Sequence, residues 1–231
     1  MVWSNFLAME LTEEQILQID NYIYVCGIKY YDVRSEIVDH FANILEQKLD
    51  ENPNLDFKKE IQNIHRNFSD RGFSKLLEEK TKSVEKQFYK QSLQHLVTFF
   101  KLPKIIITVF VFLGLKKSME FFEDIDNFFL ILTAIAFCLM ASIFIRPLWK
   151  DSTKERFLTL DMTIGFLQIF NFFVIVLNSF NGRGLGSTSI PIHNNILIGA
   201  YVILFLFFWS GEYVYHQNKK LVKEQYPNVL V

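Results

Sequence analysis

Through the first hundred positions, apolar residues recur at three- and four-residue steps, the period of a helix with one greasy face. Thr12 stands three residues before Gln15, a capping-box pair that opens a helix whose stripe is Ile16, Ile19, Tyr22 and Ile23; Gly27 stops it. Asp32 is the expected N-cap of a second helix carrying Val33, Ile37, Phe41, Ile44, Leu45 and Leu49, ended by Asn52-Pro53-Asn54. A third follows Asp56 with Phe57, Ile61, Ile64 and Phe68 on one face, and Ser69–Gly72 form a turn. A fourth runs from about Phe73 past Leu77, Val84 and Phe88 toward Leu93 and Leu96, and is expected to continue into the apolar region beyond. None of these faces is stable alone in water, so the reading is a small helical bundle.

After residue 101 the pattern changes from stripes to runs. Phe128–Ile145 carries no charge over 18 residues, Phe157–Phe180 carries one acid over 24, and Ile190–Ser210 carries none over 21. Each is long enough to cross a bilayer, which takes roughly 20 apolar residues, and lipid admits them only as helices. The stretch Leu102–Leu115 is shorter. It reaches span length only by borrowing Leu93, Leu96, Val97, Phe99 and Phe100 behind it or Met119, Phe121 and Phe122 ahead. The fold class expected is therefore all-α: a helical module over 1–100, a four-helix transmembrane block over 101–216 (spans about 101–118, 128–145, 157–180 and 190–210), and a tail over 217–231.

Composition sharpens the division. Residues 1–104 hold 14 of the 24 basic and 16 of the 25 acidic side chains, whereas 17 of the 25 phenylalanines follow residue 104. Near-balanced charge carries no nucleic-acid footprint. The loop 146–156 is basic through Arg146, Lys150, Lys154 and Arg156, and the tail through Lys219, Lys220 and Lys223. The intervening loops are acidic (Glu120, Glu123, Asp124, Asp126) or nearly neutral (Arg183). The positive-inside rule then places the front module, the 146–156 loop and the tail in the cytosol, which requires the short first stretch to cross. The expected location is the cytoplasmic membrane, multi-pass, with both termini inside. Cys26 and Cys138 fall in environments that do not allow a shared disulfide, which fits a reducing compartment for the front module. The N-terminus has no secretory pattern.

Little in the chain points to chemistry. There is no Ser/His/Asp set, no HExxH and no paired Cys motif, and Gly182–Gly186 lacks the strand and Lys-Ser/Thr of a phosphate loop. Glu36, Asp39 and His40 cluster on the second helix as a candidate partner-binding face; a single His makes an ordinary surface pair the better reading than a metal site. In the third span Asp161, Gln168, Asn171 and Asn178 fall within an arc of roughly 100°, a candidate polar face turned to the bundle interior or a partner. Asp161 lies one turn from the cytosolic end near Lys154 and Arg156, which favours an interfacial ion pair. Asp161 and His193 fall near opposite membrane faces and share no site. Ala134, Cys138, Ala141 and Ser142 put small residues on one side of the second span, suited to close helix packing. Trp149, Trp209, Tyr213 and Tyr215 are expected interface anchors.

The run Arg34-Ser35-Glu36-Ile37-Val38-Asp39-His40-Phe41, with Glu46, a Pro-containing turn and a short helix ending Arg66-Asn67-Phe68, resembles the HAAS or permease-prefix modules at the cytosolic N-termini of small bacterial membrane proteins. The resemblance covers roughly residues 30–80; Phe68-Ser69-Asp70-Arg71-Gly72 departs from the F-G-D of that pattern. It implies a regulatory or assembly module and not a catalyst. The expectation is a non-enzymatic membrane protein without cofactor or metal, partnered by the bilayer and by a cytosolic or membrane protein, with a homo-oligomer compatible. The alternative is a subunit of a small transporter or channel.

Overall fold

The computed structural model describes residues 10–68, 73–148, 155–161, 175 and 191–229. Its described elements are helical: α1 (Glu13–Val25), α2 (Tyr31–Glu51), α3 (Phe57–Phe68), α4 (Phe73–Thr98), α5 (Ile105–Met119), α6 (Ile125–Leu148), the single turn α7 (Leu158–Asp161) and α8 (Pro191–Gln225). The all-α class is as expected. Two compact units divide them. The first takes the chain to Val84 and adds Glu155–Thr159; the second takes Glu85 onward without that segment, so α4 belongs to both.

In the first unit the helix signals act largely as read. Thr12 Oγ1 accepts from the Gln15 amide at 3.3 Å while the Gln15 side chain accepts from the Thr12 amide at 2.9 Å, closing the capping box. Gly27 ends α1 at φ +104°, a backbone that favours glycine. The Asp56 carboxylate caps α3 through the Lys59 amide. Ile19, Ile23, Val33, Ile37, Phe41, Leu45, Leu49, Ile61, Ile64 and Phe73 make the core. Ile16 leaves the expected stripe and stands exposed. Asp32 is not the N-cap of its own helix: Tyr30 takes that position without a side-chain cap, while the Asp32 carboxylate accepts from the Val33 amide at 3.1 Å and also from residues far along the chain.

In the second unit α6 and α8 share a seam of Phe128, Phe129, Leu132 and Ala136 against Leu197, Ile198, Tyr201 and Val202. A buried hydrogen bond of 2.6 Å joins Thr133 to the Tyr201 hydroxyl across it. Phe112 of α5 packs beside Gly199, where a Cβ would meet the ring at an ordinary contact distance of 4.0 Å. The small residues Ala134, Cys138, Ala141 and Ser142 are exposed; the packing face of α6 is made by Phe128, Phe129, Leu132 and a different small residue, Ala136. α4 does not run on into the apolar region. It closes at Thr98 with three-residue turns at Phe99, Phe100 and Lys101, because Pro103 supplies no amide and disfavours helix at Leu102. α5 therefore starts at Ile105, and its 15 residues rise about 22 Å against a hydrocarbon core of about 30 Å.

Among the described residues one helix, His193–Gln225, is long and apolar enough to cross a membrane by length and composition; Ile125–Leu139 is a shorter apolar stretch. A four-span block is not carried by these lengths. Of the stretch expected to be the third span, Phe157 and Leu158 are buried in the first unit and so cannot face lipid, and 162–180 lies outside the described residues apart from the helical Ile175.

Candidate interaction site

Arg34 lies on the face of α2 that also carries Ile37, Val38 and Phe41, and only 3 % of it is exposed. A guanidinium there must find acids, since an unpaired buried charge is costly. Its Nε donates to Asp20 of α1 at 2.6 Å and its Nη2 to Glu155 at 2.9 Å. The rings of Tyr24 and Tyr31 lie 5.2 and 5.4 Å from its centre, within cation–π range. Burial would lower its pKa; the hydrogen bonds and charges of Asp20 and Glu155 outweigh that and raise it.

Glu155 opens the segment that α2 holds. The Tyr31 amide donates to the Arg156 carbonyl at 2.7 Å, and the Arg156 guanidinium lies over the Tyr30 ring. Phe157, fully buried, meets the Tyr31 ring at 5.6 Å. The Asp32 carboxylate accepts from the amides of Leu158 (2.9 Å) and Thr159 (3.2 Å) and from the Thr159 hydroxyl (2.7 Å). Those amides are the orphan donors at the start of α7, so Asp32 caps a helix more than a hundred residues away in sequence. The first turn of α2 thus grips residues 155–159 by ion pair, cap, backbone bridge and buried ring.

Glu36 pairs with Lys80 of α4 at 2.7 Å on the surface. Asp39 and His40 are exposed further along α2. Asp161 ends α7, half-buried, while Gln168, Asn171 and Asn178 lie outside the described residues, as does Trp149. Trp209 and Tyr213 are exposed on α8, and Glu212 and His216 face each other at 3.9 Å. Among the described residues no group of three or more His, Cys, Asp or Glu is placed to hold a metal ion.

The Asp32–Arg34 grip escaped the sequence reading, although one signal was present. Arg34, Ile37, Phe41 and Leu45 share one helical face, so a basic residue sat in the middle of a core stripe. A charge in that place announces a buried partner without naming it.

In the second unit His95 lies flat against Tyr213 (4.0 Å, 8°), edge-on to Phe99, with Nδ1 3.2 Å from the Ser210 hydroxyl. Ser210 spends its proton on the Leu206 carbonyl at 2.8 Å, so Nδ1 carries the hydrogen and donates. Burial, and then the charge of Lys104, lower the pKa of His95.

Compared with known proteins, the chain matches no protein-family model, no curated protein and no solved structure.

Proposed function

We propose that the chain is a non-enzymatic integral membrane protein, a regulatory or assembly factor whose front helical module binds a protein partner while the second unit sits in the bilayer. The observation that carries this reading is the outer surface of the second unit. Ile106, Ile107, Val109, Phe110 and Leu113 of α5, Leu130, Ile131, Ile135 and Phe137 of α6, and Ile196 and Ile203 of α8 are all exposed, outside a core that is itself apolar. Helices apolar on both their inner and outer faces belong to lipid, since water does not tolerate contiguous patches of that size. Part of α5 even forms a shallow depression of about 250 Å³ lined only by Ile105, Ile106, Val109, Phe110 and Leu113.

In this reading α5, α6 and α8 are spans of a four-span block whose remaining span, expected over about 157–180, lies largely outside the described residues, and α5 makes up its missing length with the interfacial residues Phe100–Lys104 and Glu120–Phe122 or by local thinning of the bilayer. Basic loops keep both termini in the cytosol of a bacterial cell, at its cytoplasmic membrane. The resemblance to HAAS modules, and Glu36, Asp39 and His40 standing on an outer face of α2, support a docking role for the front module.

Reporter fusions test the arrangement. Junctions at Lys90 and Lys150 are expected to report inside, and junctions at Asp124 and Ser187 outside. A reporter at Lys90 found outside, or at Asp124 found inside, overturns it.

A further inference from the structure

Where α1 ends on the first unit, three heteroatoms converge that no role above uses. The Tyr22 hydroxyl lies 2.8 Å from His65 Nδ1, and Cys26 Sγ lies 3.9 Å from the same nitrogen. The imidazole is fixed on two sides: it stacks on Phe73 (4.2 Å, 4°) and meets the Tyr22 ring edge-on at 5.6 Å. Its Nδ1 is therefore aimed at the thiol and the phenol by packing, not by chance rotation. Cys26 is the C-cap of α1, free and exposed, and Gly27 at φ +104° turns the chain away from it.

We infer that Cys26 and His65 form an open site for a thiophilic d¹⁰ cation, Zn(II) or Cu(I). Thiolate and imidazole are the donors that such ions select. The distances admit one once the Tyr22 hydroxyl, now hydrogen-bonded to Nδ1, swings aside. A Zn–S bond of about 2.3 Å and a Zn–N bond of about 2.0–2.1 Å let two donors share an ion at any separation up to about 4.4 Å. The observed 3.9 Å lies inside that limit. Closing to a tetrahedral angle draws the sulfur in by only about 0.4 Å, a movement within reach of a side chain on an exposed helix end.

Binding is proton-balanced: the thiol gives up its proton to solvent, the sulfur lone pair and the Nδ1 lone pair bond to the ion, and no electron is transferred. Nδ1 gives up its hydrogen bond with Tyr22, whose hydroxyl is left beside the ion as a neutral oxygen donor. Two strong donors leave the remaining positions to water or to a group on a partner. The site is accordingly of the exchangeable kind and not a closed structural centre.

The test uses the full chain, purified in mild detergent, reduced and metal-free. Zn²⁺ alone and Cu⁺ alone (held reduced by excess ascorbate) are titrated in separate arms, with Co²⁺ as a spectroscopic stand-in for zinc. One equivalent of either ion is expected to bind, with a sulfur-to-cobalt charge-transfer band in the Co²⁺ arm. Cys26→Ser and His65→Gln are each expected to weaken binding about tenfold or more, while Cys138→Ser leaves it unchanged. A second measurement does not depend on the variants folding. In the otherwise unaltered chain, saturating Zn²⁺ or Cu⁺ is expected to slow alkylation of Cys26 and not of Cys138, as mapped by peptide mass. Alkylation of Cys26 at the same rate with and without both ions overturns the inference, as does stoichiometric binding that survives both Cys26→Ser and His65→Gln.

Discussion

The two units are built from the same element and obey opposite surface rules. In the first, Phe41 is fully buried while the opposite side of α2 carries Glu36, Asp39, His40 and Gln47 to water. In the second, Phe129 is as fully buried as Phe41, yet the other side of the same helix shows Leu130, Ile131, Ile135 and Phe137. Interiors alone do not distinguish the two. The outer face does, because it records the solvent for which each unit was made. It also decides what holds each unit together. The first draws on the hydrophobic effect, which needs water outside; under the membrane location proposed for the second, close packing and hydrogen bonds such as Thr133–Tyr201 would do the holding.

The largest expected difference comes from one residue type placed in both settings. Phe41→Ala removes a ring from a closed water-facing core and is expected to cost about 3–5 kcal/mol, read as a lowered denaturation midpoint of the full chain in mild detergent. Phe110→Ala, in α5 with 71 % of the residue exposed, is expected to leave that midpoint nearly unchanged. Phe110→Asp sharpens the contrast. It is tolerable on a water-facing surface, but in a membrane-crossing helix it is expected to oppose insertion by about 2.5–3.5 kcal/mol, read as loss of the membrane-inserted fraction in cells. Normal insertion of Phe110→Asp would break the comparison.

Much of the first unit was legible because water-facing helices advertise themselves. The Thr12–Gln15 box, Gly27 and the Ile37–Phe41–Leu45 stripe are local signals, and each acts locally. The grip on residues 155–159 was not legible because its partners lie more than a hundred positions apart. Asp32 read as a cap, and a cap it is; beside the nearby Val33 amide it takes the first amides of the helix that begins at Leu158. Phe157 and Leu158 read as the start of a span because an apolar run looks alike whether protein or lipid surrounds it. The same ambiguity extended α4 across Pro103, where the lost amide in fact ends the helix. Of the polar residues singled out in advance, Glu36 has a plain surface partner in Lys80, while the arc beginning at Asp161 extends beyond the described residues.

The second prediction concerns that grip. Arg34→Ala strands Asp20 and Glu155. Breaking a fully buried pair costs about 3–5 kcal/mol, but both acids are partly exposed and rehydrate, so about 2–3 kcal/mol is expected here. Asp32→Ala removes only the cap and is expected to cost about 1–2 kcal/mol. Both variants are expected to expose the Arg156 bond to trypsin in the folded chain, where the wild type resists. Protection of Arg156 unchanged in both would show that residues 155–159 are held by Phe157 burial alone.

The smallest effect tests whether the second unit has a water-accessible rim beside its apolar body. His95, outside the proposed spans, is pressed between Tyr213 and Phe99, near Lys104, and its pKa is lowered, first by burial and then by that charge. Above 6.5, its unperturbed value, the imidazole is neutral in the folded and unfolded chain alike and adds no pH dependence. As pH falls below 6.5 the unfolded chain takes the proton first, so stability declines until the folded value is passed and the decline stops. Carboxylates take over only lower, around pH 4. In the window below 6.5 and above the carboxylates, the thermal midpoint of the detergent-solubilised chain should therefore drop in the wild type and stay flatter in His95→Gln, which can still donate to Ser210 but cannot titrate. Equal slopes in the two proteins would mean that water reaches the ring freely, and that the protected interior of the second unit ends below α4's last turn and not at it.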